Sequence, residues 1–391
     1  MLERLNQQPP DALLALIKLF AADPRDDKID LGVGVYKTDD GRTPVFRSIK
    51  HAEQALCAGQ DSKAYLGPEG DMGFVHALMP HIFGDDPTRG GRIDGMQTPG
   101  GTGAVRLAMA LAKKAGVARV FMGTPSWPNH AQILSDLDLE MLPFNHASDD
   151  GTANLDNVLA AIENGQASDA VLLHGCCHNP TGIDYTQDQW KAISSALADS
   201  PVMPVIDLAY QGLGNGMDED AAGMRCVLDA VPEALVAYSC DKNFGLYRDR
   251  VGAFYIMARD TDSLNIALSN GASLARANWS MPPDHGAAAV RMVLENDSFT
   301  GEWLDELSEM RARIRQMRDY LAAAGTAGTV DLRPLASQYG MFAILPLGKE
   351  QILQLREDHG IYMAGSGRIN IAGLHMGNID KFIGALKQVT G

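Results

Sequence analysis

Cysteine is scarce in this chain, positive charge is outnumbered, and no apolar run is long enough to cross a bilayer. The five cysteines among 391 residues are odd in number and include the adjacent pair Cys176 and Cys177. That pattern excludes the disulfide framework of a small secreted domain and makes a reducing cytoplasm the expected compartment. No stretch reaches the ~18 apolar residues of a membrane span. The N-terminus, MLERLNQQPPDALLALIKLF, has Glu3 and two prolines where a secretory leader would be basic and then continuously apolar. Against 49 aspartates and glutamates stand 33 lysines and arginines, a formal net charge of -16. Such a surface repels phosphate backbones and anionic lipids, so neither nucleic acid nor membrane is an expected partner. Any anion bound here has to be gripped by a local cluster.

What is present describes a globular protein. Apolar residues make up 46% and charged residues 21%, enough to build a core, and the length favours two domains. Residues 1–10 read as an arm, available to cross to a neighbouring subunit. Asp11 is placed to cap a helix whose Leu13, Leu16, Ile17 and Phe20 recur at helical spacing. From about residue 97 to 257, apolar runs alternate with helical patterns: RVFM (119–122), AVLL (170–173), MPVID (203–207), LVAYS (235–239) and VGAFYIM (251–257). Strands alternating with helices predict an α/β domain with a mostly parallel central sheet flanked by helices, and ligands at the carboxyl ends of its strands. Trp303, Leu307, Met310, Ile314, Met317 and Leu321 step by three and four up to Gly325, predicting one helix of about 22 residues, ~33 Å long. A domain boundary is expected within it. MFAIL (341–345) and GSGRINIAG (365–373) belong to a smaller α+β lobe. The expected division is 11–40 and 309–391 for the small domain and 41–308 for the large one.

Four short stretches carry chemistry. QTPGGTGAVRLAM (97–109) sets glycines and Thr102 at the start of a helical pattern. The free N–H groups and dipole there suit a phosphate, although a tight turn alone would need the same residues. It is neither a Walker loop nor GxGxxG, which counts against ATP and dinucleotides. LLHGCCHNPTGID (172–184) offers His174, Cys176, Cys177 and His178, but at spacings that match no usual zinc pattern, so no metal is expected. In VIDLAYQG (205–212), Asp207 leaves an apolar strand. It is either a helix cap or a carboxylate with a cationic or N–H partner, because burying it alone is costly. SCDKNFGLYRDRVGAF (239–254) holds a single lysine, Lys242, with Asp241 before it and Arg248 and Arg250 beyond.

Taken in order, TPSWPNH (124–130), HNPTG (178–182), DLAYQG (207–212), SCDKNFGLYRDRVG (239–252), RANWSMPPDHG (276–286) and GRINIAG (367–373) resemble the motifs of the class I aspartate and aromatic aminotransferases. IDLGVGVY (29–36) and AYLGPEG (64–70) extend the resemblance over nearly the whole chain. It implies a fold type I enzyme with pyridoxal 5'-phosphate as cofactor, acting as a homodimer whose active sites are shared between subunits. The implied reaction moves the amino group of aspartate, of aromatic amino acids or of both to 2-oxoglutarate in two half-reactions. Lys242 matches the lysine that joins the cofactor and shuttles the substrate Cα proton, a role that needs an amine of lowered pKa.

By the same resemblance, Asp207 pairs with the pyridinium nitrogen and keeps it protonated, with His130 behind it. Tyr210 and Asn179 bond the phenolic oxygen, and Trp127 stacks on the ring. Gly101, Thr102, Ser239 and Arg250 hold the phosphate, with Tyr65 supplied by the other subunit. Arg368 clamps the substrate α-carboxylate with Asn179 and the backbone at Gly34. Arg276 reaches from the partner to a distal carboxylate, but aromatic-specific members also carry it, so it does not separate the subclasses. A strictly aromatic enzyme, another pyridoxal phosphate reaction and a non-catalytic binding protein on the same scaffold are the rival readings.

The chain departs from the pattern at Asp241, where a small hydroxyl residue is usual. A carboxylate ~5 Å from a phosphate would repel it by about 3 kcal/mol per pair of unit charges at an effective dielectric near 20. Asp241 is therefore expected to pair with Arg250 or Arg248, leaving the phosphate site net favourable. Trp279 and Leu213 replace the usual Tyr and Phe, milder changes in the pocket.

Overall fold

The structure, a computed structural model, describes residues 2–7, 12–148 and 150–391. The proposed cap Asp11 and residues 8–10 of the arm lie outside the described residues. The chain divides between Thr43 and Pro44 and again between Ala312 and Arg313. The sequence reading set these divisions at 40 and 308.

The unit from Pro44 to Ala312 is built on seven strands: β1 Ile93–Pro99, β2 Arg119–Thr124, β3 Glu140–Asn145, β4 Asp169–His174, β5 Met203–Leu208, β6 Ala234–Ser239 and β7 Val251–Met257. Their order in the sheet is β1-β7-β6-β5-β4-β2-β3. β3, β2, β4, β5 and β6 run parallel, whereas β7 is antiparallel to both β6 and β1. Every residue of β6 and β7 is buried, as unbroken apolar runs covered on both faces should be. β3, the edge strand, has only exposed and half-buried residues and contains Pro143. An edge tolerates a missing donor, and this is why its sequence does not announce a strand. The helix Gly100–Lys114 packs on the sheet through Ala104, Val105, Leu107, Ala108 and Leu111, which share the core with Val120, Val205, Ala237 and Phe254.

Local capping agrees with these elements. Thr186 and Gln189 form a reciprocal capping box at the helix Gln187–Ala198, and Asp71 and Asp260 cap the helices that follow them. The predicted long helix runs from Asp297 to Ala323, and its apolar stripe from Trp303 to Leu321 is buried. The second division of the chain falls inside it. Gly325, at φ +70°, follows its end.

The other unit is a small α+β assembly. Phe342–Ile344 pairs antiparallel with Arg368–Asn370, and Ile29–Asp30 pairs parallel with Ile361–Tyr362. Helices Ala12–Ala22, Lys349–His359 and Ile379–Thr390 accompany them. Arg318 is buried and donates to the carbonyls of Tyr339, Gly340 and Phe342, which fixes the approach to the first of these strands.

Candidate active site

In the larger unit the carboxyl ends of β5 and β6 and the start of the helix Gly100–Lys114 converge. That helix begins at Pro99 without a capping side chain. Gly100 has φ +70°, and a Cβ there would lie 2.5 Å from Arg250 Nη2; one on Gly101 would lie 2.7 Å from Ser239 Cβ. Only glycine lets the helix start come so close to strand and guanidinium, leaving a seat lined by N–H groups, the Ser239 hydroxyl and Arg250. Thr102 follows in the first turn, partly buried. Arg250 donates to the Tyr247 carbonyl at 3.1 Å and to Asp241 Oδ2. The expected pairing of Asp241 is thus with Arg250.

Lys242 lies in the turn after β6, half-buried, with Nζ 5.1 Å from the centre of the Tyr210 ring. The turn is clamped from the long helix: Trp303 Nε1 donates to Asn243 O at 2.7 Å, and its ring stacks on Phe244 at 4.4 Å. Burial pushes the Lys242 pKa down, and Arg250 adds to this, against the pull of Asp241 and Asp207. Asn179 Nδ2 donates to the Tyr210 hydroxyl at 3.3 Å, while Asn179 Oδ1 is buried without a hydrogen-bond partner. A buried polar atom left open beside a lysine and a tyrosine marks a wall that faces a ligand.

Asp207, at the end of β5, accepts from His130 Nε2 at 2.9 Å. Behind it, Ser126 Oγ lies 3.0 Å from both His130 Nδ1 and His174 Nε2. Burial pushes the His174 pKa down to about 3, so its ring is neutral at pH 7. The consistent assignment has His174 donating to Ser126, Ser126 donating to His130 Nδ1, and His130 donating to Asp207. Burial raises the Asp207 carboxyl, but the His130 hydrogen bond and the Lys242 charge outweigh it and hold it below its ordinary value. The carboxylate is therefore ionised, and its role is not helix capping. Trp127 packs edge-on to His130, ring centres 5.0 Å apart. Ser126 was missed in the sequence; its position four residues before His130, at a helix start, was the available signal.

The two histidine rings of LLHGCCHNPTGID lie 4.2 Å apart, and each has a hydrogen-bond partner within the protein. His178 bonds Thr181, and His174 bonds Ser126. Among the described residues, Cys176, Cys177 and Asp220 approach one another, but Asp220 accepts from the amides of Gly212, Gly214 and Asn215. That satisfies the carboxylate as a loop anchor.

Tyr65 is 93% exposed, and Arg276 is an exposed residue in the last turn of the helix Thr261–Asn278, donating to Ser280 Oγ. Neither is brought into the cluster around Lys242. Arg368 and Gly34 belong to the smaller unit. There Arg368 Nη2 donates to Gly32 O at 2.8 Å and its guanidinium lies 4.7 Å from the Phe342 ring, while a Cβ on Gly34 would be 2.8 Å from Phe342 Cζ. Asn370 holds the same segment through the carbonyls of Val33 and Val35.

An anion seat, an amine of lowered pKa and a shielded carboxylate define a site for a phosphorylated, nitrogen-containing ring cofactor. Residues 26–386 match the family Aminotransferase class I and II. A tyrosine aminotransferase of Rhizobium meliloti is 47% identical over 375 residues, 96% of each chain. An aspartate aminotransferase of Escherichia coli is 40% identical over 395 residues, 100% of each. The crystal structure of an aromatic-amino-acid aminotransferase from Burkholderia pseudomallei, covalently bound to pyridoxal phosphate, superposes with a TM-score of 0.96 at 34% identity, again over 100% of both chains. The chain belongs to the class I and II aminotransferases. It is an aminotransferase of the α/β fold of those enzymes, and its cofactor is pyridoxal phosphate. The donor set fits that group: the glycine-lined seat suits the phosphate, Asp207 suits a protonated ring nitrogen, and Asn179 with Tyr210 offers hydrogen bonds between them.

Proposed function

We propose that this enzyme transfers the amino group of aspartate and of aromatic amino acids to 2-oxoglutarate, alternating between two half-reactions. The observation that carries the reading is the Lys242 amine, depressed in pKa and set over Tyr210, in the turn that follows the strand paired with that of Asp207, and beside the Gly100–Arg250 seat. When bound, pyridoxal phosphate supplies an electron sink that acidifies the substrate Cα–H. Lys242 removes the Cα proton, which only its neutral form can do. Asp207, ionised and fixed by His130, holds a proton on the ring nitrogen. Asn179 and Tyr210 hold the phenolic oxygen, and Trp127 covers the ring face. Gly101, Thr102, Ser239 and Arg250 bind the phosphate, and Arg368 with the Gly34 backbone and Asn179 orients the α-carboxylate.

Tyr65 and Arg276 act in the active site of a second copy, Tyr65 on the phosphate and Arg276 on the distal carboxylate of a dicarboxylic substrate. Their exposure within one chain supports this, and it makes the enzyme a homodimer. The naming of the relatives, tyrosine at 47% identity and aspartate at 40%, supports a range that spans both substrate types. We place the enzyme in the cytoplasm; five cysteines, none of them in a disulfide, support a reducing compartment. A panel of aspartate, tyrosine and phenylalanine as donors to 2-oxoglutarate tests the substrate reading. Turnover of aspartate and of at least one aromatic donor is expected, and failure with aspartate or with both aromatic donors overturns it.

A further inference from the structure

The seat at the start of the helix Gly100–Lys114 is shaped for an anion, yet one of the chain's own carboxylates already occupies its guanidinium. Asp241 is 3% exposed; Oδ2 accepts from Arg250 Nη1, and Oδ1 is buried without a hydrogen-bond partner. A Cβ on Gly100 would lie 3.2 Å from Asp241 Oδ2 and 2.5 Å from Arg250 Nη2, so both groups flank the helix start that a phosphate approaches. Few charges face this carboxylate. Lys242 and Arg250, on its own segment, favour its ionised form, and the Cys240 thiol is its other titratable neighbour. From β7 the Val251 amide reaches it, and the helix start presents Gly100, Gly101 and Thr102, which carry no charge.

We propose that Asp241 is a displaceable counter-ion for Arg250: the cofactor phosphate takes over the guanidinium, and Asp241 takes up one proton from solvent as it does so. This rests on the phosphate seat assigned above. Two anions that share one guanidinium out of water repel each other, and protonating the weaker acid removes the repulsion. Burial already pushes the Asp241 carboxyl above its ordinary value, against the pull of Lys242 and Arg250. An adjacent phosphate raises it further. Cofactor binding is accordingly strongest below the pKa of Asp241 in the ligand-free enzyme and weakens as pH rises through the range between that value and the bound one, about tenfold per unit when a full proton is exchanged.

The test uses pyridoxamine phosphate, which lacks the aldehyde that joins Lys242. It is titrated calorimetrically into the full-length enzyme freed of cofactor, as wild type, Asp241→Asn and Asp241→Ser, at about pH 6 and about pH 8.5, in buffers of different ionisation enthalpy. The Kd of wild type relative to either variant is expected to rise at least about tenfold between the two pH values. At the higher pH the wild type should take up close to one proton more per site than the variants. Titration of the ligand is common to all three proteins and cancels in the ratio; because Asp241 also pulls the Lys242 pKa up, the comparison is repeated with Lys242→Ala in all three, where the same ratio is expected. An unchanged ratio with equal proton counts overturns the proposal. In the wild type alone, ³¹P NMR of the bound ligand should show a dianionic phosphate; a monoanion would place the proton on the ligand and also overturn it. Arg250→Gln separates the two levels of inference. If it leaves the Kd unchanged, the phosphate seat itself is wrong. If it weakens binding while the Asp241 ratio stays flat, only the counter-ion role fails.

Discussion

A lysine that serves as a base must spend much of its time uncharged, and the surroundings of Lys242 arrange this from several directions. Burial lowers its pKa and Arg250 lowers it further, while Asp241 and Asp207 keep the shift from running to completion. Replacing it with alanine removes the only amine described over Tyr210, and with arginine substitutes a guanidinium that stays charged at any working pH. Both Lys242→Ala and Lys242→Arg should slow the half-reaction with aspartate by at least about 100-fold, the usual worth of a positioned acid–base group. Stopped-flow absorbance of the bound cofactor measures this rate, and retention of wild-type rates would remove Lys242 from the proposed role. At the other end of the site, the identity of Asp207 as an ionised carboxylate depends on His130, whose tautomer depends in turn on Ser126 and His174. Asp207 and His130 stand out in the sequence because strand ends and short motifs expose them. Ser126 does not, since one hydroxyl at a helix start has many ordinary uses.

At the scale of elements, the phosphate seat exists because a helix begins almost in contact with the ends of β6 and β7. The chain permits this only by placing glycine at 100 and 101. Gly101→Ala would drive a methyl group to 2.7 Å from Ser239 Cβ, a separation backbone elements have to move apart to relieve. Since the seat requires that closeness, the substitution should weaken pyridoxal phosphate binding at least about tenfold, a cost of about 1.4 kcal/mol. Equilibrium dialysis against the free cofactor checks it, and unchanged affinity would show that the helix start does not hold the phosphate. The strands β2 and β4 to β7 were legible because each contains a continuous apolar run. β1 and β3 were not: β1 carries Asp94, Gly95 and Gln97 through its length, and β3 is an edge with Pro143 and no buried residue.

In the larger unit, histidines withdrawn from water set its tolerance of acid, and one of them, His174, stands behind the site. His146 is buried and His174 half-buried, and the loss of solvent pushes their pKa values from 6.5 down to about 4 and about 3. His146 stacks on His178 at 3.6 Å, so a proton on either ring is doubly unwelcome. The folded protein favours the neutral rings, whereas the unfolded chain gains protons below about pH 6.5. Stability is therefore lost as pH falls from about 6.5 towards the folded values, about 2 kcal/mol for each histidine by pH 5. Urea unfolding at about pH 7.5 and about pH 5 should show a lower midpoint at the acid pH, and His146→Asn should reduce the difference; equal midpoints in the wild type would refute the account. The proposed homodimer has its own signature. Mixed and reassembled Lys242→Ala and Arg276→Ala chains should regain about a quarter of wild-type aspartate activity, because half the dimers are mixed and each of these has one intact site. No recovery from two inactive parents would mean that Arg276 does not act across subunits.

The sequence by itself determined the family, the cofactor, the strand ends that carry chemistry, and Lys242 and Asp207 as residues to watch. All of these depend on local order: short motifs in a set succession, and runs whose period reports how they are buried. Only the tertiary structure decided which partner Asp241 takes, how Ser126 joins two histidines 44 residues apart in the chain, and how closely Gly101 meets Ser239. Those are contacts between side chains brought together by the packing of a helix on a sheet. No spacing along the chain encodes their distances, because a change of one or two ångströms in that packing would replace one partner with another.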